Sequence, residues 1–176
     1  LPGKELKRIR PEEISVNTDK VDDLLIEAVS DSGFPGGVVL AAKDGQIFLH
    51  NAFGYHTYDK QTPVMRGSIF DLASITKVIA TTSAVMKLVE TDKISLEDKV
   101  ITYLPLFKGK QKKFFDHKSK ITIRHLMTHT SGLPPFKKYY LMDDNFQARL
   151  DSIMNTEPEI GLNEKTIYSD VGLIVL

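Results

Sequence analysis

Ser74-Ile75-Thr76-Lys77 places a hydroxyl and an amine three residues apart, and on a helix the side chains at i and i+3 share a face and can touch. A serine hydroxyl attacks an acyl carbon only when a neighbouring base takes its proton. Lysine, with an ordinary pKa of about 10.4, is almost wholly ammonium at neutral pH. It serves as that base only where its surroundings favour the neutral amine, and burial on an apolar helix would lower its pKa. A serine at a helix N-terminus would also set a developing oxyanion near main-chain N–H groups and the positive end of the dipole. The spacing alone is met as readily by a helix-start serine with an exposed lysine one turn on.

The other reactive side chains form no rival set. There is no cysteine, which excludes disulfides and thiolate chemistry. His50, His56, His117, His125 and His129 show no metal-ligand pattern. His125 and His129 stand four apart, but no carboxylate accompanies them and Gly and Pro soon follow, so neither a metal nor a cofactor is expected. His129 and Ser131 read as turn and capping residues rather than a Ser-His pair. Lys plus Arg (23) balance Asp plus Glu (23), so the chain has no general electrostatic reason to bind nucleic acid or an anionic membrane. No apolar run approaches the roughly 18 residues of a membrane span. The basic stretch Lys108 to Lys120 reads as a solvated loop before an element near Ile121.

The elements that must hold Ser74 and Lys77 follow from periodicity. Residues 1–17 are polar and read as a lead-in strap, followed by residues 18–176 as one domain. Val21, Leu24, Leu25, Ala28 and Val29 mark an amphipathic helix, capped by Thr18 or Asn17 and stopped at Gly33. Residues 37–42 and 46–50 are two β-type runs around Lys43-Asp44-Gly45, the signal of a tight hairpin. Residues 74–89, rich in Ala, Val, Met and Leu and apolar on more than one side, predict a central buried helix. Ser95-Leu-Glu-Asp98 is a capping-box signature for a short helix ending before Pro105. Thr122 can cap another through Met127, Asp143 to Met154 reads as a further helix, and Ser169 or Asp170 can cap a last one. The sum is helix-heavy α+β. Val171 to Leu176 is apolar without a stop signal, so the expectation is a chain cut inside an element.

Three stretches in order give these residues a family. Ile69-Phe-Asp-Leu-Ala-Ser-Ile-Thr-Lys77, Ile121-Thr-Ile-Arg-His-Leu-Met-Thr-His-Thr-Ser-Gly-Leu-Pro134 and Tyr168-Ser169-Asp170 resemble the hallmark segments of the class C β-lactamase, D,D-peptidase and esterase family. The resemblance runs from about Val21 to the end. The Ser-x-x-Lys motif belongs to β-lactamases and penicillin-binding proteins, where the acylation base is debated. The resemblance implies a β-lactamase/transpeptidase-like fold and a serine acyl-transfer hydrolase that needs no cofactor. Ser74 would form the acyl-enzyme, Lys77 and Tyr168 would move its proton, and Asp170 would line the substrate cleft. It further implies a small-molecule or peptidoglycan-like acyl substrate and a periplasmic or extracellular setting. The alternative is a non-catalytic, acyl-binding or scaffolding relative; Phe53-Gly-Tyr-His-Thr-Tyr58 also resembles such domains fused to glycosidases.

Two departures qualify the family pattern. Position 170 is Asp where the broad motif, Tyr-x-Asn, has an amide. A carboxylate only accepts hydrogen bonds, and near Lys77 it would favour the ammonium, which argues for Tyr168 as the working base. The family's third motif, Lys-Thr-Gly or His-x-Gly on a strand that completes the sheet and the oxyanion hole, is absent from these 176 residues. The expectation is therefore a partial domain, truncated before that motif and inactive alone, whose missing half comes from the same or another chain.

Overall fold

The computed structural model describes residues 6–142 and 145–176, which form two compact units meeting between Asp71 and Leu72. The first is a three-stranded sheet with one helix. Strands β2 (Gly36–Lys43) and β3 (Gln46–Gly54) form the expected hairpin, antiparallel with Lys43 opposite Gln46 and a bulge between Ala41 and Ala42. Asp44 and Gly45 both have positive φ, 51° and 74°. That is the backbone of a tight hairpin turn whose twist matches the strands, and Gly at its second position adopts it without a Cβ clash.

The lead-in is more than a strap. Lys7–Arg8 forms β1, pairing parallel with β3 at Gln46 and Ile47, in the sheet order β1-β3-β2. The free N–H and C=O groups of a sheet edge accept a passing extended chain whatever its polarity, and composition does not reveal this. Helix α1 (Asp19–Ser30) packs on β3, with Asn17 rather than Thr18 taking the Asp19 N–H at 2.9 Å. It ends where Ser32 turns left-handed and the Gly33 N–H returns to the Ala28 carbonyl. A cleft of about 620 Å³ beside Asp22, Asn51 and Arg66 in this unit has no nucleophile in its walls.

The second unit is helical: a π-helical segment Lys77–Thr82, then α2 (Ser83–Glu90), α3 (Val100–Tyr103), α4 (Phe115–Lys120), α5 (Ile123–Met127), α6 (Phe146–Met154) and α7 (Asp170–Val175). Its core gathers Val85, Phe107, Ile121, Leu126, Leu133 and Val171. Thr122 and His125 form a reciprocal capping box at α5, and Asn145 and Ser169 cap α6 and α7. The α6 residues Asp143 and Asp144 expected from the sequence lie outside the described residues.

Three expectations are corrected. The helix after Ser74 is not buried all round: only Val85 is, while Val78, Ile79 and Met86 are more than half exposed. Second, Ser95 and Asp98 make the cap contacts, Asp98 accepting the Ser95 N–H at 2.7 Å, but only a turn forms and the helix begins at Val100. The short helix ending before Pro105 thus forms, but one turn later than the cap signal placed it. Third, the basic run folds into α4 and preceding turns, and its Lys118 is buried, 1% exposed. Its ammonium donates to the carbonyls of Met154 (2.7 Å) and Thr156 (3.0 Å) and sits 4.3 Å from the centre of the Phe107 ring. Burial pulls its pKa down to about 8, while the carbonyls and ring face keep the charge compensated.

Candidate active site

Ser74 lies in a tight turn that leads into the helix. The N–H groups of Ile75, Thr76 and Lys77 bond to the carbonyls of Leu72, Ala73 and Ser74. The first-turn donors expected around an oxyanion are thus consumed by the turn. Ala73, immediately before, has φ +43°. A residue with a Cβ pays about 1–2 kcal/mol for that conformation, a strain held immediately before Ser74.

Lys77 opens the π-helical segment. Thr82 donates its hydroxyl to the Lys77 carbonyl at 2.9 Å and Ser83 reaches the Val78 carbonyl at 3.4 Å, both spanning five residues. Such side-chain bonds support the wider turn, and π-turns occur frequently at functional sites. Lys77 Nζ lies 3.3 Å from Ser74 Oγ and 2.8 Å from Oδ1 of Asp170. The second contact is an ion pair off the angles of a good hydrogen bond; Oδ1 itself is buried and has no hydrogen-bond partner among the described residues. The contact with Asp170 holds the Lys77 pKa above its ordinary value, outweighing the opposing effect of burial. Apolar burial alone would lower it; Asp170, expected beside Lys77 from the resemblance, has the larger effect, as that reading anticipated.

Tyr168 stands between these groups, with Lys77 Nζ 5.3 Å from its ring centre. Polar contact with the Ser74 hydroxyl, then with the Lys77 ammonium, lowers its pKa below the tyrosine norm. Tyr168 precedes α7, in a segment fixed by main-chain bonds: Asp170 N–H to Pro135 O at 2.8 Å and Ile167 N–H to His129 O at 3.0 Å. Ser169 is buried, caps α7 by accepting the Gly172 N–H at 3.0 Å and donates to Pro134 O at 2.7 Å. Gly132, φ +78°, makes the turn that delivers those carbonyls; a Cβ there would lie 2.3 Å from Ile160 O. All four residues marked in the sequence, Ser74, Lys77, Tyr168 and Asp170, therefore meet within one unit. A cleft of about 510 Å³ opens beside Lys77 and Asp170, walled by Phe136, Tyr140, Ile153 and Ile174. Among the described residues no group of His, Asp and Glu could hold a metal.

Comparison with known proteins places this site in a family. The family model described as Beta-lactamase matches residues 21–176, and the chain belongs to that family. It is 32% identical to the N-acetylmuramyl-L-alanine amidase of Bacillus subtilis (strain 168), aligning over 98% of this chain and 43% of that protein. It is equally 32% identical to a Salmonella typhimurium (strain LT2) protein named provisionally as a D-alanyl-D-alanine carboxypeptidase, over 94% of this chain and 42% of that one. Among solved structures it resembles EstCE1, a hydrolase with promiscuous acyltransferase activity, at 25% identity and a TM-score of 0.71 over 90% of this chain and 45% of that one. The chain thus spans less than half the length of these relatives, and its fold is the β-lactamase/transpeptidase-like one, here helix-rich with a small sheet.

Proposed function

We propose that the chain carries the nucleophile half of a serine acyl-transfer hydrolase, with Ser74 as the nucleophile. The observation that carries this reading is the convergence on one hydroxyl of Lys77 at 3.3 Å and of the lowered-pKa phenol of Tyr168. Ser74 Oγ attacks the acyl carbon and passes its proton to the Tyr168 phenolate. Lys77, held as ammonium by Asp170, cannot take that proton; it stabilises the phenolate, and Tyr168 passes the serine's proton on to the leaving group. Water then hydrolyses the ester by the reverse sequence. The Ser74 N–H supplies one donor to the oxyanion, and a second comes from sequence beyond these 176 residues.

The names of the relatives support a peptidoglycan-like peptide or an ester as substrate, and a site of action outside the cytoplasm. Asp170 supports esters over amide-bearing acyl groups, because its carboxylate cannot donate to a side-chain carbonyl. The test is covalent labelling of the full-length protein with a fluorophosphonate, read by intact mass and peptide mapping. A single adduct on Ser74, absent from Ser74→Ala, is expected. No adduct on a folded wild-type protein would overturn the reading and leave a site that only binds acyl groups.

A further inference from the structure

We propose that His129, through its main chain and its ring together, is the positioning residue that holds Tyr168 over Ser74. The inference rests on the proposed role of Tyr168, and the geometry that carries it is local. Tyr168 lies in no regular element and its side chain is half exposed, 51%, so neither a helix nor core packing fixes its phenol. What brackets it is a single residue on a different segment. The Ile167 N–H donates to the His129 carbonyl at 3.0 Å, and the Ser169 N–H donates to His129 Nδ1 at 3.1 Å. The donors on both sides of Tyr168 thus end on one residue. The rings of the two residues also lie against each other, centroids 4.7 Å apart and tilted by 40°.

The backbone at His129 is what allows one residue to do both. Its φ is +58°, a conformation costly for a residue with a Cβ and of a kind that persists where the surroundings over-determine it, often at functional sites. In that conformation the carbonyl and the imidazole address the same neighbouring segment. The bond to Ser169 also sets the chemistry of the ring. Nδ1 accepts, so it is unprotonated and the neutral ring carries its proton on Nε2. Protonation would convert Nδ1 to a donor facing another donor. The charged and titratable groups facing the ring are Lys77, Asp170 and Tyr168. Desolvation first, and then the Lys77 charge, keep the imidazole pKa below its usual value against the opposing pull of Asp170, so the accepting form prevails at neutral pH.

Two substitutions separate the ring from the acceptor. Asn carries Oδ1 on Cγ where His carries Nδ1, and it tolerates positive φ; His129→Asn keeps the acceptor without the ring. His129→Phe keeps a ring without the acceptor. The readouts in the full-length protein are the rate of Ser74 labelling by a fluorophosphonate across pH, and the ring-carbon NMR titration of Tyr168, assigned with Tyr168→Phe. In wild type and His129→Asn the Tyr168 phenol should titrate below the tyrosine norm. In His129→Phe it should return towards that norm, and labelling should slow by roughly ten- to a hundredfold, the scale of a misplacement near 1 Å. An unlabelled wild type whose Tyr168 titration still depends on the residue at 129 would sink the hydrolase reading and leave the positioning intact. Labelling and Tyr168 titration both unchanged in His129→Phe would overturn the positioning. If His129→Phe fails to fold, His129→Gly, which takes positive φ and removes ring and acceptor together, decides: an unchanged Tyr168 titration and labelling rate there overturn the positioning.

Discussion

Replacing Asp170 by Asn removes one charge from the pair with Lys77 and changes little else. The side chains are nearly isosteric, Ser169 remains as the cap of α7, and the lost favourable contact of a carboxylate with the helix N-terminus is about 0.3–1 kcal/mol. The electrostatic change is larger. Two unit charges 2.8 Å apart attract by about 6 kcal/mol at an effective dielectric of about 20 and by about 1.5 kcal/mol in bulk water. The two side chains are 21% and 31% exposed, which sets the interaction near the lower part of that range, about 2–3 kcal/mol. At 1.36 kcal/mol per tenfold, the preference of Lys77 for the ammonium should weaken by roughly thirty- to 160-fold.

The sign is the same for either partner. An anion raises the pKa of its neighbours; Asp170 raises that of Lys77 and opposes the lowering of Tyr168. Without it both fall, so the ascending limb that reports the general base moves to lower pH whichever group holds the role. The assay is the pseudo-first-order rate of Ser74 labelling by a fluorophosphonate, a probe with no titrating group of its own, measured across pH on the full-length wild type and variant. The new amide should also speed acylation by penicillins, because it can donate to their side-chain carbonyl. A limb that stays put or moves to higher pH would refute the reasoning, and Asp170 would then matter only to α7.

Tyr168→Phe keeps the ring beside His129 and removes the phenol. Labelling of Ser74 should slow by about 10²–10⁴-fold, the usual contribution of a general base, with stability unchanged by calorimetry. A wild-type rate would return the role of base to Lys77. Lys118→Met preserves the length of a buried side chain but orphans the carbonyls of Met154 and Thr156. It should cost about 2–4 kcal/mol, or about 5–15 °C in melting temperature, and an unchanged melting temperature would mean that water satisfies both. Because Lys118 sits near pH 8 when folded against an ordinary 10.5, the unfolded chain binds more protons between those values. Lys118 therefore makes stability rise with pH across that window, and urea titrations should show that rise in wild type and lose it in Lys118→Met.

What the sequence made legible was local. Asp44-Gly45 marked a turn that needs two positive φ values, Thr122 marked a cap, and Ser74 with Lys77 marked one helix face, because each signal lies within four residues of chain. The features that the sequence concealed join distant segments. Lys118 looked solvated amid lysines, since its acceptors are carbonyls of the α6 C-terminus and just beyond. The raised pKa of Lys77 was foreseen only through the family resemblance, which put the distant Asp170 beside it. His129 was read as a turn residue, which it is; that the same turn brackets Tyr168 is visible only once residues 129 and 167–169 lie together. The helix after Ser74 was expected to be buried because its apolar residues were counted on every face, whereas the described chain covers one side.

The π-helical segment has a consequence for how this helix can change. A wide turn holds one residue more than an α-turn, and each residue of a helix advances the side chains by about 100°. The stretch Lys77–Thr82 therefore acts as a slip joint between two phases. Upstream, the phase is dictated by the need to face Lys77 towards Ser74; downstream, by the need to bring Val85 into the core. Deleting one residue between 78 and 82 would let the stretch close into regular α-helical turns and leave Val85 near its seat. An insertion there could be absorbed as another irregular turn, whereas the same insertion within Ser83–Glu90 could not. The length of this helix is thus free to vary at one place, next to the chemistry and without disturbing it.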